Sequence, residues 1–220
     1  MKLMGKYNLL IFDWDGTVAD SVHHIVTAME AVIASSELPA RSRTEILGII
    51  GLGMQEAVAT LYPDIDIALR QQMVQSYGQN YLALSTGKTL LFPKAKETLE
   101  LLRDAGFLLA VATGKSRRGL ERVFVETEIK HYFHTSRCAD ETFSKPHPQM
   151  LIEIMQSLDM KPAETLMIGD SQHDLQMAAN ANVASIAVSY GAQPLQYLQQ
   201  FNPLTHLNCL SKLPAWLSSQ

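Results

Sequence analysis

Two aspartates, Asp13 and Asp15, stand two residues apart in FDWDGT, directly after the apolar run Leu9 to Phe12. Residues two apart on an extended chain point in broadly the same direction, so both carboxylates share one small site. Burying both as anions is costly unless a cation lies beside them, and the pair therefore implies a bound metal or one protonated member. Far along the chain, LMIGDSQHD places Asp170 immediately after another apolar run and Asp174 one helical turn later. If the two strands are neighbours, up to four carboxylates converge. Anionic, oxygen-rich sites of this kind select hard cations, magnesium before zinc.

Groups that suit an anion occur between these acidic motifs. Thr113, Gly114 and Lys115 follow the run Phe107 to Ala112. A strand ending in a hydroxyl and a glycine offers an O–H and backbone N–H groups to an anion. Lys145 lies in SKPHP, where Pro146 and Pro148 restrict the backbone and hold the ammonium in one direction.

Simpler readings compete at each position. A calcium loop starting at Asp13 would need a glycine at position 18 and a glutamate at 24, which are Val18 and His24. Asp170 or Thr113 could act only as a helix cap, Asp174 as a solvated helix residue and Lys145 as a surface lysine. GKS at 114 to 116 invites a nucleotide-triphosphate loop, but the glycine required earlier would fall on Leu109. GLGMQE at 51 to 56 lacks the third glycine of a dinucleotide fingerprint. His23 and His24 read as exposed helix residues, and His131 with His134 is too isolated to name a metal.

The elements that must position these groups follow a simple alternation. Strand-length apolar runs at Leu9 to Phe12, Phe107 to Ala112, Leu166 to Ile168 and Ala184 to Val188 are each followed by a helical pattern. That order predicts an α/β fold with a Rossmann-like parallel sheet flanked by helices. Val22, Ile25, Val26, Met29, Val32 and Ile33 form one apolar face, as do Leu151, Ile154, Met155 and Leu158. Between Asp20 and Thr89 the pattern is helical throughout, with segments at Thr44 to Ile50, Met54 to Leu61 and a longer one ending near Ser85. It reads as an inserted helical cap domain, residues 20–89, interrupting a core domain of residues 1–19 and 90–220. A cap closing over the carboxyl ends of the strands would form a cleft where open α/β sheets bind ligands.

Composition narrows the class further. The chain has 220 residues, 47% of them apolar, and a net charge of −4 with both signs interspersed. It can bury a substantial core and carries no cationic stripe for nucleic acid, so a small-molecule substrate is expected. Cys138 and Cys209 are far apart, without the spacing of a zinc site or a disulfide framework. The first apolar run is broken by Asp13 and Asp15 too soon for a signal peptide or a membrane span, so a cytoplasmic protein that binds no membrane is expected. Oligomeric state is not legible, and a monomer is compatible with the sequence.

DWDGT at 13 to 17, Thr113, Lys145 before a proline, and GDSQHD at 169 to 174 resemble, in order, the four motifs of the haloacid dehalogenase (HAD) superfamily. The likeness spans the chain, helical insertion included, and is nearest to the phosphoglycolate phosphatase-like branch. It implies a magnesium-dependent phosphatase acting on a small phosphorylated metabolite. Asp13 would be the nucleophile that forms an aspartyl-phosphate and Asp15 the acid and then base. Mg2+ would be held by Asp13, the Asp15 carbonyl and Asp170, with Asp174 as a further ligand or an orienting group. Trp14, Gly16, Thr17, Thr113, Gly114 and Lys145 would surround the phosphate. The same core can also serve a phosphotransferase or mutase, or a silent regulatory module. Asp15 disfavours a dehalogenase, and the lack of a lysine between residues 7 and 87 disfavours a phosphonate hydrolase. Gly114 stands where an asparagine is frequent, and Gly51 to Met54 offer no charge to read a carboxylate, so glycolate specificity is not implied.

Overall fold

The computed structural model describes residues 6–84 and 89–220. Its centre is a six-stranded, wholly parallel sheet of β1 (Leu9–Phe12), β2 (Leu108–Thr113), β3 (Thr135–Cys138), β4 (Thr165–Gly169), β5 (Ala184–Val188) and β6 (His206–Leu207), ordered β3-β2-β1-β4-β5-β6. The helices of this part of the chain are α5 (Ala95–Asp104), α6 (Arg117–Thr127), α7 (Gln149–Ser157), α8 (Gln172–Asn180), α9 (Leu195–Leu198) and α10 (Leu213–Leu217). Because strand side chains alternate, β1 feeds two cores. Leu10 and Phe12 join Leu99, Leu109, Val111 and Phe124 on one face, while Leu9 and Ile11 join Ala110, Met150, Leu151 and Met177 on the other.

The four expected strands are present, β1 and β5 with the expected ends and β2 and β4 with shifted ones. β2 begins one residue late and continues to Thr113, which pairs with Cys138, and β4 extends to Gly169, which pairs with Ala187. β3 and β6 were not anticipated. Both lie at sheet edges, where TSRC is half-exposed and HL is only two residues long, so neither carries an apolar run.

A second body of helices, α1 (Val22–Ser35), α2 (Arg43–Gly48), α3 (Met54–Leu61) and α4 (Ile67–Leu84), packs around Ile25, Met29, Ile46, Ile50, Val58 and Met73. α2 starts one residue before Thr44 because the Ser42 hydroxyl accepts the Glu45 N–H at 3.2 Å and the Glu45 carboxylate takes the Ser42 N–H at 2.7 Å. It ends before Ile49 and Ile50, which bury themselves ahead of the positive-φ turn at Gly51. Ser85, near which the last helix was expected to end, lies outside the described residues. The chain enters and leaves this body side by side: the Asp20 N–H donates to the Leu90 carbonyl, and the Phe92 N–H to that of Val18. Among the described residues, no helix is long and apolar enough to cross a membrane.

Candidate active site

β1 lies between β2 and β4, so the groups after three adjacent strands meet at one sheet edge. Asp13 follows β1 directly, and its N–H donates to the Ile168 carbonyl at 2.9 Å. Its carboxylate is buried: Oδ1 accepts from the Lys145 ammonium at 2.6 Å, and Oδ2 has no hydrogen-bond partner. Lys145, whose side chain is also buried, donates equally closely to Asp174 Oδ1. The other oxygen of Asp174 accepts the Ser171 N–H and hydroxyl, so Asp174 serves the first turn of α8 while holding Lys145. Ser171, rather than Asp170, caps that helix.

Asp170 is gripped from two sides, by the Thr17 hydroxyl at 3.1 Å and the Ala192 N–H at 2.7 Å. Gly16, with φ of +79°, packs so closely that a methyl group there would land on the Asp170 carboxylate. One carboxylate oxygen each from Asp13, Asp170 and Asp174 lies within a 4.8 Å span. Burial, followed by the Asp174 charge, pushes Asp170 up to about 7. Burial also raises Asp13 well above the usual carboxylate range despite Lys145. Three buried carboxylates against one ammonium leave an excess of negative charge that protons or a cation must offset.

Asp15 has a different environment. Its Oδ1 accepts from the Ser21 hydroxyl at 2.5 Å and pairs with the Lys115 ammonium at 3.0 Å. That ammonium also reaches the Tyr81 hydroxyl, at 3.4 Å, and lies 4.8 Å from the centre of the Tyr81 ring. Burial alone would lower Lys115, but Asp15 and Tyr81 outweigh it and hold the ammonium above the ordinary lysine value. Neither Ser21 nor the Lys115 side chain was foreseen as part of the site. Lys115 stands two residues beyond Thr113, a spacing that could have suggested it.

Three of the residues expected around the phosphate have further surroundings. Trp14 does not present its indole to the site: it is fully buried in the core, edge-on to Phe124 with ring centres 5.3 Å apart. Its direction follows from strand alternation, since Leu10, Phe12 and Trp14 share a face. The Thr17 hydroxyl donates to Asp170. Gly114 is a contact point, because a methyl there would strike the carbonyls of Gly51 and Leu52 in the loop after α2. Thr113 is buried at the end of β2, where its hydroxyl accepts the Lys115 N–H at 3.1 Å. His23, His24, His131 and His134 belong neither to the acidic cluster nor to the cleft lining.

A cleft of about 750 Å³ opens above Asp13 and Asp15. Its lining includes the loop 51–54, one face of α4, and Lys115, Arg118 and Arg122, of which Lys115 and Arg122 lie against the Tyr81 ring.

The sequence profile described as haloacid dehalogenase-like hydrolase matches residues 10–188. Over 212 residues the chain is 31% identical to the protein named "Probable phosphatase IndB" of Dickeya dadantii (strain 3937), covering 93% of this chain and 91% of that one. It is 29% identical to a phosphoglycolate phosphatase of Vibrio parahaemolyticus, covering 93% of each. In fold it is similar to a hydrolase from Pseudomonas syringae, with a TM-score of 0.88 at 20% identity over 96% of this chain and 98% of that one.

Proposed function

The chain belongs to the haloacid dehalogenase-like hydrolases, and from that premise we propose that it is a magnesium-dependent phosphatase of small phosphorylated metabolites, with Asp13 as nucleophile. The observation that carries this reading is the Asp13 carboxylate, one oxygen anchored on Lys145 and the other buried without a partner. An oxygen so placed is held in position yet not engaged by any donor, as a nucleophile requires.

In the first step an Asp13 oxygen attacks phosphorus, the ester P–O bond breaks, and the departing alkoxide takes a proton from Asp15. Ser21 and Lys115 occupy Asp15 Oδ1 and leave Oδ2 without a protein partner as the atom that carries this proton. In the second step Asp15, now an anion, takes a proton from water as that water attacks the aspartyl-phosphate. Inorganic phosphate leaves, Asp13 is restored and Asp15 is protonated again. Lys145 spends two of its three N–H donors on Asp13 and Asp174, which leaves one for a phosphoryl oxygen beside the Thr113 hydroxyl.

The donor set fits a hard cation: three buried carboxylates, all oxygen, gathered within 4.8 Å and short of positive charge. Asp13, Asp170 and the Asp15 carbonyl would hold it. Asp174, which holds the Lys145 ammonium on one oxygen and the first turn of α8 on the other, would act by orienting Lys145. Bound there, magnesium would neutralise charge on the transferring phosphoryl group. Residues 20–89 would act as the cap that shields this step from bulk water.

Phosphate release from sugar phosphates, phosphoglycolate, nucleotides and pyrophosphate, with and without magnesium, tests the proposal. Asp13→Asn is expected to abolish turnover with the fold intact. Near-normal release by the folded variant would overturn it.

A further inference from the structure

We infer that the natural substrate carries a bulky, ring-bearing and largely apolar leaving group, seated on α4 at Gly78; this deepens the phosphatase reading and rests on it. Val74, Tyr77, Gly78 and Tyr81 recur at helical spacing on the face of α4 that lines the cleft. A glycine inside an 18-residue helix is unfavourable by about 1 kcal/mol relative to alanine. Close packing does not demand it either, since a methyl built on Gly78 would meet nothing within 4 Å. By contrast, Gly16 and Gly114 have no room for one. The gap at Gly78 is therefore room in the cleft wall rather than a tight fit.

The surroundings state what would fill it. Tyr77 and Tyr81, on the same face, pack against each other with ring centres 5.8 Å apart and planes inclined by 35°, an aromatic surface beside the open space at Gly78 that suits a flat group. Ile25, Ile49 and Ile50 supply the apolar lining toward Asp15. The Tyr77 hydroxyl has no protein partner among the described residues and offers one polar anchor. A cleft near 750 Å³ lies within the range of roughly 300–1,000 Å³ that encloses drug-sized ligands. A two-carbon leaving group would leave most of it empty.

The test compares kcat/KM for 1-naphthyl phosphate, acetyl phosphate and phosphoglycolate in the wild type, Gly78→Ala and Gly78→Leu, with thermal unfolding run alongside to establish folding. The wild type is expected to favour the aryl ester over phosphoglycolate. The aryl-to-acetyl ratio should fall from wild type to alanine to leucine, by about tenfold for leucine. An unchanged ratio in both folded variants, or a wild-type preference for phosphoglycolate, overturns the inference while leaving the phosphatase reading standing. Failure of the wild type to release phosphate in magnesium from any of the three or from the sugar phosphates, nucleotides and pyrophosphate of the wider assay overturns the phosphatase reading itself, and this inference with it.

Discussion

The Lys145 ammonium lies 2.6 Å from Asp13 Oδ1 although 132 residues separate the two, and the same nitrogen is equally close to Asp174. It is the cation shared by two members of the buried acidic cluster, and its removal should be felt in stability as well as turnover.

Lys145→Met is expected to destabilise the metal-free protein by about 3–5 kcal/mol, because it strands buried carboxylates without their partner. Magnesium should recover part of that loss. Urea unfolding in chelator and in magnesium measures both, and a loss below about 1 kcal/mol in chelator would show that the cluster does not depend on Lys145.

Metal-free stability should fall as pH rises from the ordinary aspartate value of 3.8 through about 7. Burial raises Asp170 to about 7 and moves Asp13 in the same direction, so in that window the folded state holds protons that the unfolded chain has released. The stabilising contribution of such a group is complete below its unfolded pKa and is lost as pH passes the folded one. Magnesium binds the deprotonated form and should flatten the trend. Thermal midpoints in chelator that climb across this window would contradict the assignment.

Asp15→Asn should slow turnover by about 10²–10⁴-fold while magnesium affinity changes little, since only the backbone carbonyl of this residue is assigned to the ion. Titrating magnesium by calorimetry beside the rate measurement separates the two effects. An unchanged rate removes Asp15 from proton transfer.

Gly114→Ala drives a methyl group into the carbonyls of Gly51 and Leu52. Overpacking of this kind costs about 1–3 kcal/mol, and the strain falls where the helical body meets the end of β2. A lower thermal midpoint and a raised KM are expected. Wild-type values for both would show that the loop yields freely.

The site was legible to different depths. Asp13, Asp15, Thr113, Lys145, Asp170 and Asp174 stand out because each follows an apolar run or sits in a constrained segment. The role of Asp174 as the holder of Lys145 was not readable, because a carboxylate in the first turn of a helix looks the same whether it binds an ion, a lysine or its own cap. Lys115 was read only for its backbone, since nothing local shows that Asp15 and Tyr81 come to meet its ammonium.

The amino-acid sequence alone determined the alternation of strands and helices, the inserted helical stretch and the order of the acidic and phosphate-binding candidates. These are local properties: side-chain periods of two and of 3.6 residues are written into neighbouring positions. Tertiary structure decided that β1 lies between β2 and β4, which brings Asp13, Thr113 and Asp170 to one edge. It also decided that Lys145 bridges Asp13 to Asp174, and that Gly114 gives way to a distant loop whereas Gly78 faces open space. Those outcomes depend on contacts between residues far apart along the chain, which no local pattern encodes.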